Sequence, residues 1–183
     1  MRKLLHDEIA SLRLTPEAAR NAPRHPIALL LDNIRSLYNV GSMFRTADGA
    51  GVARLYLAGH TPRPPRREID KTALGATAVV PWEHHGRPAD ALRAAREAGY
   101  TICLLEQTTG ARPYHAFPPD RFPVCLVVGN ELTGVSPEVV AEADLALEIP
   151  MYGTKQSLNA AVAAGIALFE LVRIRRASGG QTS

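Results

Sequence analysis

Three stretches of the chain set polar side chains beside loop-forming glycines. The first, Asp32 to Val52, reads D-N-I-R-S-L-Y-N-V-G-S-M-F-R-T-A-D-G-A-G-V and follows directly on an apolar run. Open α/β sheets place their ligand-binding loops at such strand ends. This stretch offers Asn39, Gly41 and Arg45. Arg45 carries a planar, permanently charged fork suited to gripping a phosphate. Gly41 is expected to let a ligand approach the start of a helix closely, where an anion is favoured. The second stretch, Leu126 to Glu138, reads L-V-V-G-N-E-L-T-G-V-S-P-E and holds Glu131 in a loop between Gly129 and Gly134. The third, I-P-M-Y-G-T-K-Q-S-L-N from Ile149 to Asn159, is a loop leading into a helix expected to be capped by Ser157. Each also has a plainer reading: Asn39 as a helix cap, Arg45 as a solvated helix residue, Glu131 as a turn residue.

Other chemistries lack their residues. G-x-x-x-x-G occurs from Gly129, but Val135 stands where a phosphate-binding loop needs Lys. No complete G-x-G-x-x-G is present, which argues against a dinucleotide enzyme. Cys103 and Cys125 lie in apolar runs without a C-x-x-C, so they read as buried, reduced thiols and no metal is expected. His84 and His85, beside Trp82 and before Gly86 and Pro88, are expected in an exposed loop. A net charge of +3 is compatible with a polyanionic partner without requiring one. Local clustering says more. Arg63, Arg66, Arg67 and Lys71 fall in H-T-P-R-P-P-R-R-E-I-D-K, a segment able to bring guanidinium groups to phosphates.

The elements that must position these residues follow from the apolar pattern. The 183 residues, 46% of them hydrophobic and 21% charged, fit one globular domain. No stretch suits a signal peptide or a membrane span, so the expected location is the cytoplasm. Strands are expected at Ile27–Leu31, Ala53–Ala58, Val79–Pro81, Thr101–Leu105, Val124–Val128 and Leu145–Ile149. Helices are expected at Val40–Ala50, Glu68–Leu74, Ala89–Ala98, Pro137–Ala141 and Leu158–Val172. This alternation predicts an α/β fold, a mostly parallel sheet with helices on both faces. Val40, Met43, Phe44 and Ala47 should form one buried stripe.

Residues 1–25 read as an N-terminal helical extension, 26–176 as the domain and 177–183 as a flexible tail. The last helix interrupts its apolar run only at Asn159 and Glu170, so both its faces need cover. The face with Leu158, Val162, Gly165, Phe169 and Val172 is assigned to the sheet. The face with Ala160, Ala163, Ala164, Ala167 and Leu171 is assigned to a second subunit.

Taken in order, N-x-x-x-x-x-N-x-G-x-x-x-R-T-A from Asn33, G-x-E-x-x-G-V from Gly129 and I-P-M-x-G-x-x-x-S-L-N from Ile149 are specific. Together they resemble the three motifs of the SpoU (TrmH-like) RNA 2′-O-ribose methyltransferases of the SPOUT superfamily. The resemblance spans about Ala28 to Arg173. It implies a C-terminal trefoil knot, a homodimer with sites at the subunit interface, and S-adenosyl-L-methionine as cofactor. By motif position it implies a catalytic group of Asn39, Arg45, Glu131, Ser157 and Asn159. Gly129, Ile149, Met151 and Leu158 would hold the cofactor, helped by Leu105 and Glu106. The RNA, tRNA or rRNA, would meet Arg45, Arg63, Arg66 and Arg67, and the methyl group would go to a ribose 2′-hydroxyl. The alternative is a non-catalytic RNA-binding protein on the same scaffold. The motifs hold no His or Cys to serve as an ordinary base. The family proposal gives that role to the arginine, here Arg45, oriented by Glu131. A free guanidinium with a pKa above about 12 suits a phosphate clamp equally well.

Overall fold

The computed structural model describes residues 1–179. Two short helices, α1 (His6–Ser11) and α2 (Pro16–Asn21), precede β1 (His25–Asp32). Then follow α3 (Leu37–Gly49), β2 (Val52–Ala58), α4 (Arg67–Ala73), β3 (Trp82–His85) and α5 (Pro88–Glu97). The chain continues through β4 (Thr101–Leu105), β5 (Arg112–Pro113), β6 (Val124–Val128), α6 (Pro137–Ala141), β7 (Leu145–Glu148) and α7 (Ala160–Gly179). All strand pairs are parallel, in the order β3-β2-β1-β6-β4-β7-β5.

The unbroken apolar runs have a direct cause. Successive side chains point to opposite faces of a strand, and both faces are buried. In β1, Ile27, Leu29 and Leu31 enter the core that also holds residues of α3 and α7. Ala28 and Leu30 enter the core that holds residues of α5. β6 divides likewise, Val124, Leu126 and Val128 on one side, Cys125 and Val127 on the other. Burial, with a smaller contribution from Asp144, pushes the Cys103 thiol up to about 12. Burial raises Cys125 as well, so neither thiol is a nucleophile. In α3, Val40, Met43, Phe44 and Ala47 are fully buried, the stripe their spacing predicts.

Several expectations need correction. α7 starts at Ala160, and its cap is Asn159, whose Oδ1 accepts from the N–H groups of Ala161 at 2.9 Å and Val162 at 3.3 Å. Ser157 lies before the helix and does not cap it. The two faces of α7 are also exchanged. Ala164, Ala167, Leu168, Leu171 and Ile174 are buried, whereas Val162 is 52% and Phe169 53% exposed. A helix that is apolar all round gives no phase by which to choose a face; the small alanines lie inward because they allow the closest approach to the sheet. α7 also runs to Gly179, past the expected start of the tail. Residues 180–183 lie outside the described residues.

The third strand is displaced too. Val79 and Val80 belong to a tight turn, their N–H groups both donating to the carbonyl of Ala76, and the strand is Trp82–His85. Val80 is apolar because the turn delivers it to the core. His84 and His85 therefore sit half-buried in an edge strand, not in an exposed loop.

At the N-terminus, Arg24 fixes α2 to the domain through three carbonyls, those of Ala19, Val52 and Val79. Leu4, Leu5, Leu12 and Leu14 remain exposed. Among the described residues no helix is long and apolar enough to cross a membrane.

Candidate active site

The loops after β1 and β6 lie side by side because those strands are neighbours in the sheet. Asp32, at the end of β1, is fully buried. Its Oδ2 accepts from Ser136 N–H at 2.6 Å and from the Ser136 hydroxyl at 2.5 Å. Ser136 therefore spends its hydroxyl on β1 rather than on the helix it precedes. The side chain of Asn130 donates to the carbonyl of Asn33 at 2.7 Å and accepts from Leu132 and Thr133 N–H. Nothing in the spacing had marked Asp32 or Asn130. A buried acid at a strand end is the signal that would have found the first.

Glycine is required twice in the β6 loop. A Cβ on Gly129 would run into the backbone of Gly134 and Val135, and Gly134 has a φ of +70°. The Glu106 carboxylate steadies the same loop, accepting from Val135 N–H at 3.1 Å and Gln107 N–H at 2.9 Å. On the far side, the Gln107 amide donates to the carbonyl of Gln156 at 2.6 Å, tying the loop after β4 to the loop before α7.

Three of the expected catalytic residues form one connected set. The Nδ2 of Asn159 donates to the Oδ1 of Asn39 at 3.1 Å, and the Nδ2 of Asn39 donates to Glu131 at 2.9 Å. Glu131 also accepts from the N–H groups of Arg35 at 3.0 Å and Ser36 at 3.2 Å. Burial acts to raise the Glu131 pKa, but the donors from Arg35, its own N–H, Asn39 and Ser36 outweigh it and hold the carboxyl below its ordinary value. Glu131 is thus an anionic brace at the start of α3. Asn39 does not cap that helix; Ser36 does, its Oγ accepting from Asn39 N–H at 3.2 Å.

Glu131 and Asn159 of this set, but not Asn39, line a cleft of about 370 Å³. Leu105, Val128, Ile149, Met151, Leu158, Ala160 and Ala163 give it apolar surface. Glu106, Gln107, Gly129, Asn130, Glu131, Glu148, Gln156, Ser157 and Asn159 give it polar groups. All six expected cofactor residues, Leu105, Glu106, Gly129, Ile149, Met151 and Leu158, line it. The wall includes three carboxylates and no Lys, Arg or His. Such a cleft suits a cationic ligand with an apolar body and repels the phosphates of a dinucleotide.

Arg45 is elsewhere. It is exposed, it does not line the cleft, and its guanidinium has no hydrogen-bond or ion-pair partner among the described residues. Glu131, expected to orient it, is engaged instead with Arg35, Ser36 and Asn39. Gly41 also differs from expectation. It faces α4, where an added Cβ would strike the Ile69 carbonyl and the Thr72 hydroxyl, so it serves helix packing and not a ligand. Arg63, Arg66 and Arg67 are exposed at and before the start of α4. An Arg63 nitrogen lies 3.3 Å from the Nδ1 of His84, whose Nε2 is 3.3 Å from the Gly59 carbonyl. Burial first, then the charges of Arg63 and His85, hold the His84 pKa below its ordinary value, against the Gly59 carbonyl. Among the described residues no group of three or more His, Cys, Asp and Glu is placed to hold a metal ion.

The sequence profile of the SpoU rRNA Methylase family matches residues 26–169. The chain belongs to the SpoU family. Among its relatives is the tRNA (guanosine(18)-2′-O)-methyltransferase of Aquifex aeolicus, 34% identical over 84% of this chain and 72% of the relative. Another is the 23S rRNA (guanosine-2′-O-)-methyltransferase of Neisseria meningitidis, 31% identical over 87% of this chain and 63% of the relative. The crystal structure of the A. aeolicus TrmH/SpoU tRNA modifying enzyme superposes with a TM-score of 0.78 at 32% identity, covering 90% of this chain and 84% of that one. The AdoMet-bound rRNA methyltransferase of Sinorhizobium meliloti gives a TM-score of 0.76 at 32% identity, covering 88% of this chain and 61% of that one. This SpoU chain thus spans between 61% and 84% of these four proteins.

Proposed function

We propose that this SpoU protein transfers a methyl group from S-adenosyl-L-methionine to a ribose 2′-hydroxyl of tRNA or rRNA. The observation that carries the reading is the cleft: apolar walls, three carboxylates and no basic group, with the Asn39–Glu131–Asn159 set along its edge. Gly129, Gly134 and the loop from Ile149 to Leu158 suit close backbone contact with a bound cofactor. When bound, the cofactor supplies a methyl group already activated on a sulfonium sulfur. The protein's part is alignment: Asn39, Ser157 and Asn159 orient the ribose hydroxyl by hydrogen bonds, and Glu131 fixes Asn39. Alignment of this kind supplies several kcal/mol of a barrier. Ser157 is free for it, since its hydroxyl has no partner among the described residues.

Arg45 clamps the phosphate beside the target ribose, and the 2′-hydroxyl proton passes to water as the methyl–oxygen bond forms. The position of Arg45 outside the cleft of its own chain supports a site completed by a second copy. We assign the dimer contact to the exposed Val162, Ile166 and Phe169 face of α7, as an isologous interface. The C-terminal region, from β6 through α7, carries the trefoil knot of the family, with the Gln107–Gln156 tie across it. Arg63, Arg66 and Arg67 contact RNA phosphates, and the protein works in the cytoplasm.

The test is transfer of tritiated methyl from S-adenosylmethionine to bulk tRNA and rRNA from a strain lacking the gene. Mapping of 2′-O-methylation in strains with and without the gene then names the nucleotide. Cofactor binding with no transfer to either RNA overturns the catalytic reading. Charge reversal at Arg66 and Arg67 should weaken RNA binding and flatten its salt dependence.

A further inference from the structure

A second recess shares none of the cleft's residues. It is lined by Tyr38 from the first turn of α3 and by Arg67, Glu68, Asp70 and Lys71 of α4. Tyr38 is 50% exposed, and its hydroxyl has no partner among the described residues. Its place is fixed through the backbone. The Thr72 hydroxyl donates to the Tyr38 carbonyl at 3.1 Å, and Gly41 sits against that hydroxyl and the Ile69 carbonyl, so α3 and α4 meet closely. Tyr38 directly precedes Asn39 on α3, the residue that the Glu131 and Asn159 hydrogen bonds hold in place.

The mixture of side chains selects its ligand. A bare phosphate is opposed by Glu68 and Asp70. An apolar peptide is opposed by four charged residues out of the five. A nucleotide can meet all of them. The face of its base stacks on an aromatic ring, the amino and imino N–H groups of the base donate to carboxylates, and its phosphate meets guanidinium and ammonium groups.

We propose that Tyr38, with Arg67 and Lys71, holds an unpaired nucleobase adjacent to the methylated ribose, making the α3–α4 seam a flanking-nucleotide subsite. This rests on the RNA methyltransferase reading. The ring supplies the stacking surface, the two carboxylates accept from the base edge, and the cations take the neighbouring phosphate. The substrate at this point is single-stranded RNA, because a paired base cannot present its face.

The test uses the full chain and the variants Tyr38→Phe, Tyr38→Trp and Tyr38→Leu. Fluorescence anisotropy is read with a short labelled single-stranded RNA and with the blunt duplex of the same sequence. Tyr38→Leu should weaken single-strand binding about tenfold, within the range a stacked base contributes. The Phe and Trp variants should keep wild-type affinity, and duplex binding should not change. In methyl transfer to bulk tRNA and rRNA, the Leu variant should raise KM with little change in kcat. Leu binding like wild type, or Phe weakened as much as Leu, overturns the subsite. Should the Leu variant fail to fold, Lys71→Ala decides. It should lower the salt slope of binding by about one unit, and an unchanged slope overturns the proposal. A wild-type protein that transfers no methyl overturns the activity instead, while the anisotropy arm still decides the subsite.

Discussion

The side-chain amide of Asn159 donates to that of Asn39 at 3.1 Å across 120 residues of sequence. The bond fixes both amides. Asn159 turns its oxygen to the N-terminus of α7, and Asn39 turns its nitrogen to Glu131. Neither can flip without placing an acceptor against an acceptor.

Asn159→Asp separates the two duties of that residue. The carboxylate keeps the cap on α7 but presents an oxygen to the oxygen of Asn39. We expect a melting temperature within about 2 °C of wild type and methyl transfer reduced about 100-fold or more. Asn159→Ala should also lose the cap, at about 1 kcal/mol. Thermal melts beside label transfer distinguish the two.

Glu131 predicts a dependence on acidity. Its folded pKa lies below its ordinary value, so the unfolded chain takes up a proton first as pH falls. Its stabilising effect is therefore complete above about pH 4.3, the unfolded value, and is lost as pH drops through the lowered folded value. Glu131→Gln should flatten the fall in melting temperature between about pH 5 and 3. A parallel fall in both proteins would assign the acid sensitivity to other carboxylates.

Two glycines should fail in different ways. Gly129→Ala drives a methyl group into the backbone of Gly134 and Val135. It should abolish S-adenosylmethionine binding by calorimetry, with the fold destabilised by about 1–3 kcal/mol. Gly41→Ala should lose a similar amount by parting α3 from α4 while cofactor affinity survives in the folded fraction.

Arg45→Ala should eliminate methyl transfer and leave cofactor binding intact. Coexpressed with Asn159→Ala, itself inactive, it should regain about one quarter of wild-type activity. Half of randomly paired dimers are mixed, and each has one intact site if Arg45 acts across the interface. No recovery would place Arg45 in its own subunit's site. Phe169→Glu, by opposing the dimer contact, should produce a monomer in sedimentation and abolish transfer.

The sheet was legible in the sequence because burial on both faces leaves the interiors of β1, β4 and β6 apolar. The same uniformity hid the phase of α7. Its inward face is set by which side chains fit close to the sheet, which no period records. Val79 and Val80 misled for a related reason: a turn can deliver apolar side chains to a core as well as a strand can. At the candidate site, Asn39, Glu131 and Asn159 were legible as motif residues, and their mutual bonds were not. Asp32 and Asn130 act through a tie between two loops, and such ties depend on which strands are neighbours. The packing role of Gly41 is not legible in the sequence, because the approach of α4 is a tertiary fact.

β6 stands between β1 and β4 in the sheet. One half, hung from β4, β6 and β7, forms the wall proposed for the methyl donor. The other, hung from β1 and β2, carries α3, α4 and the basic margin. Beside the shared apolar core, polar side-chain ties join them: Asp32 to Ser136, Asn130 to the carbonyl of Asn33, and the chain from Asn159 through Asn39 to Glu131. On the proposed reading such a layout is modular: mutations along the β2–α4 margin would change the RNA bound while leaving the donor wall in place, whereas changes at the seam residues would disturb both.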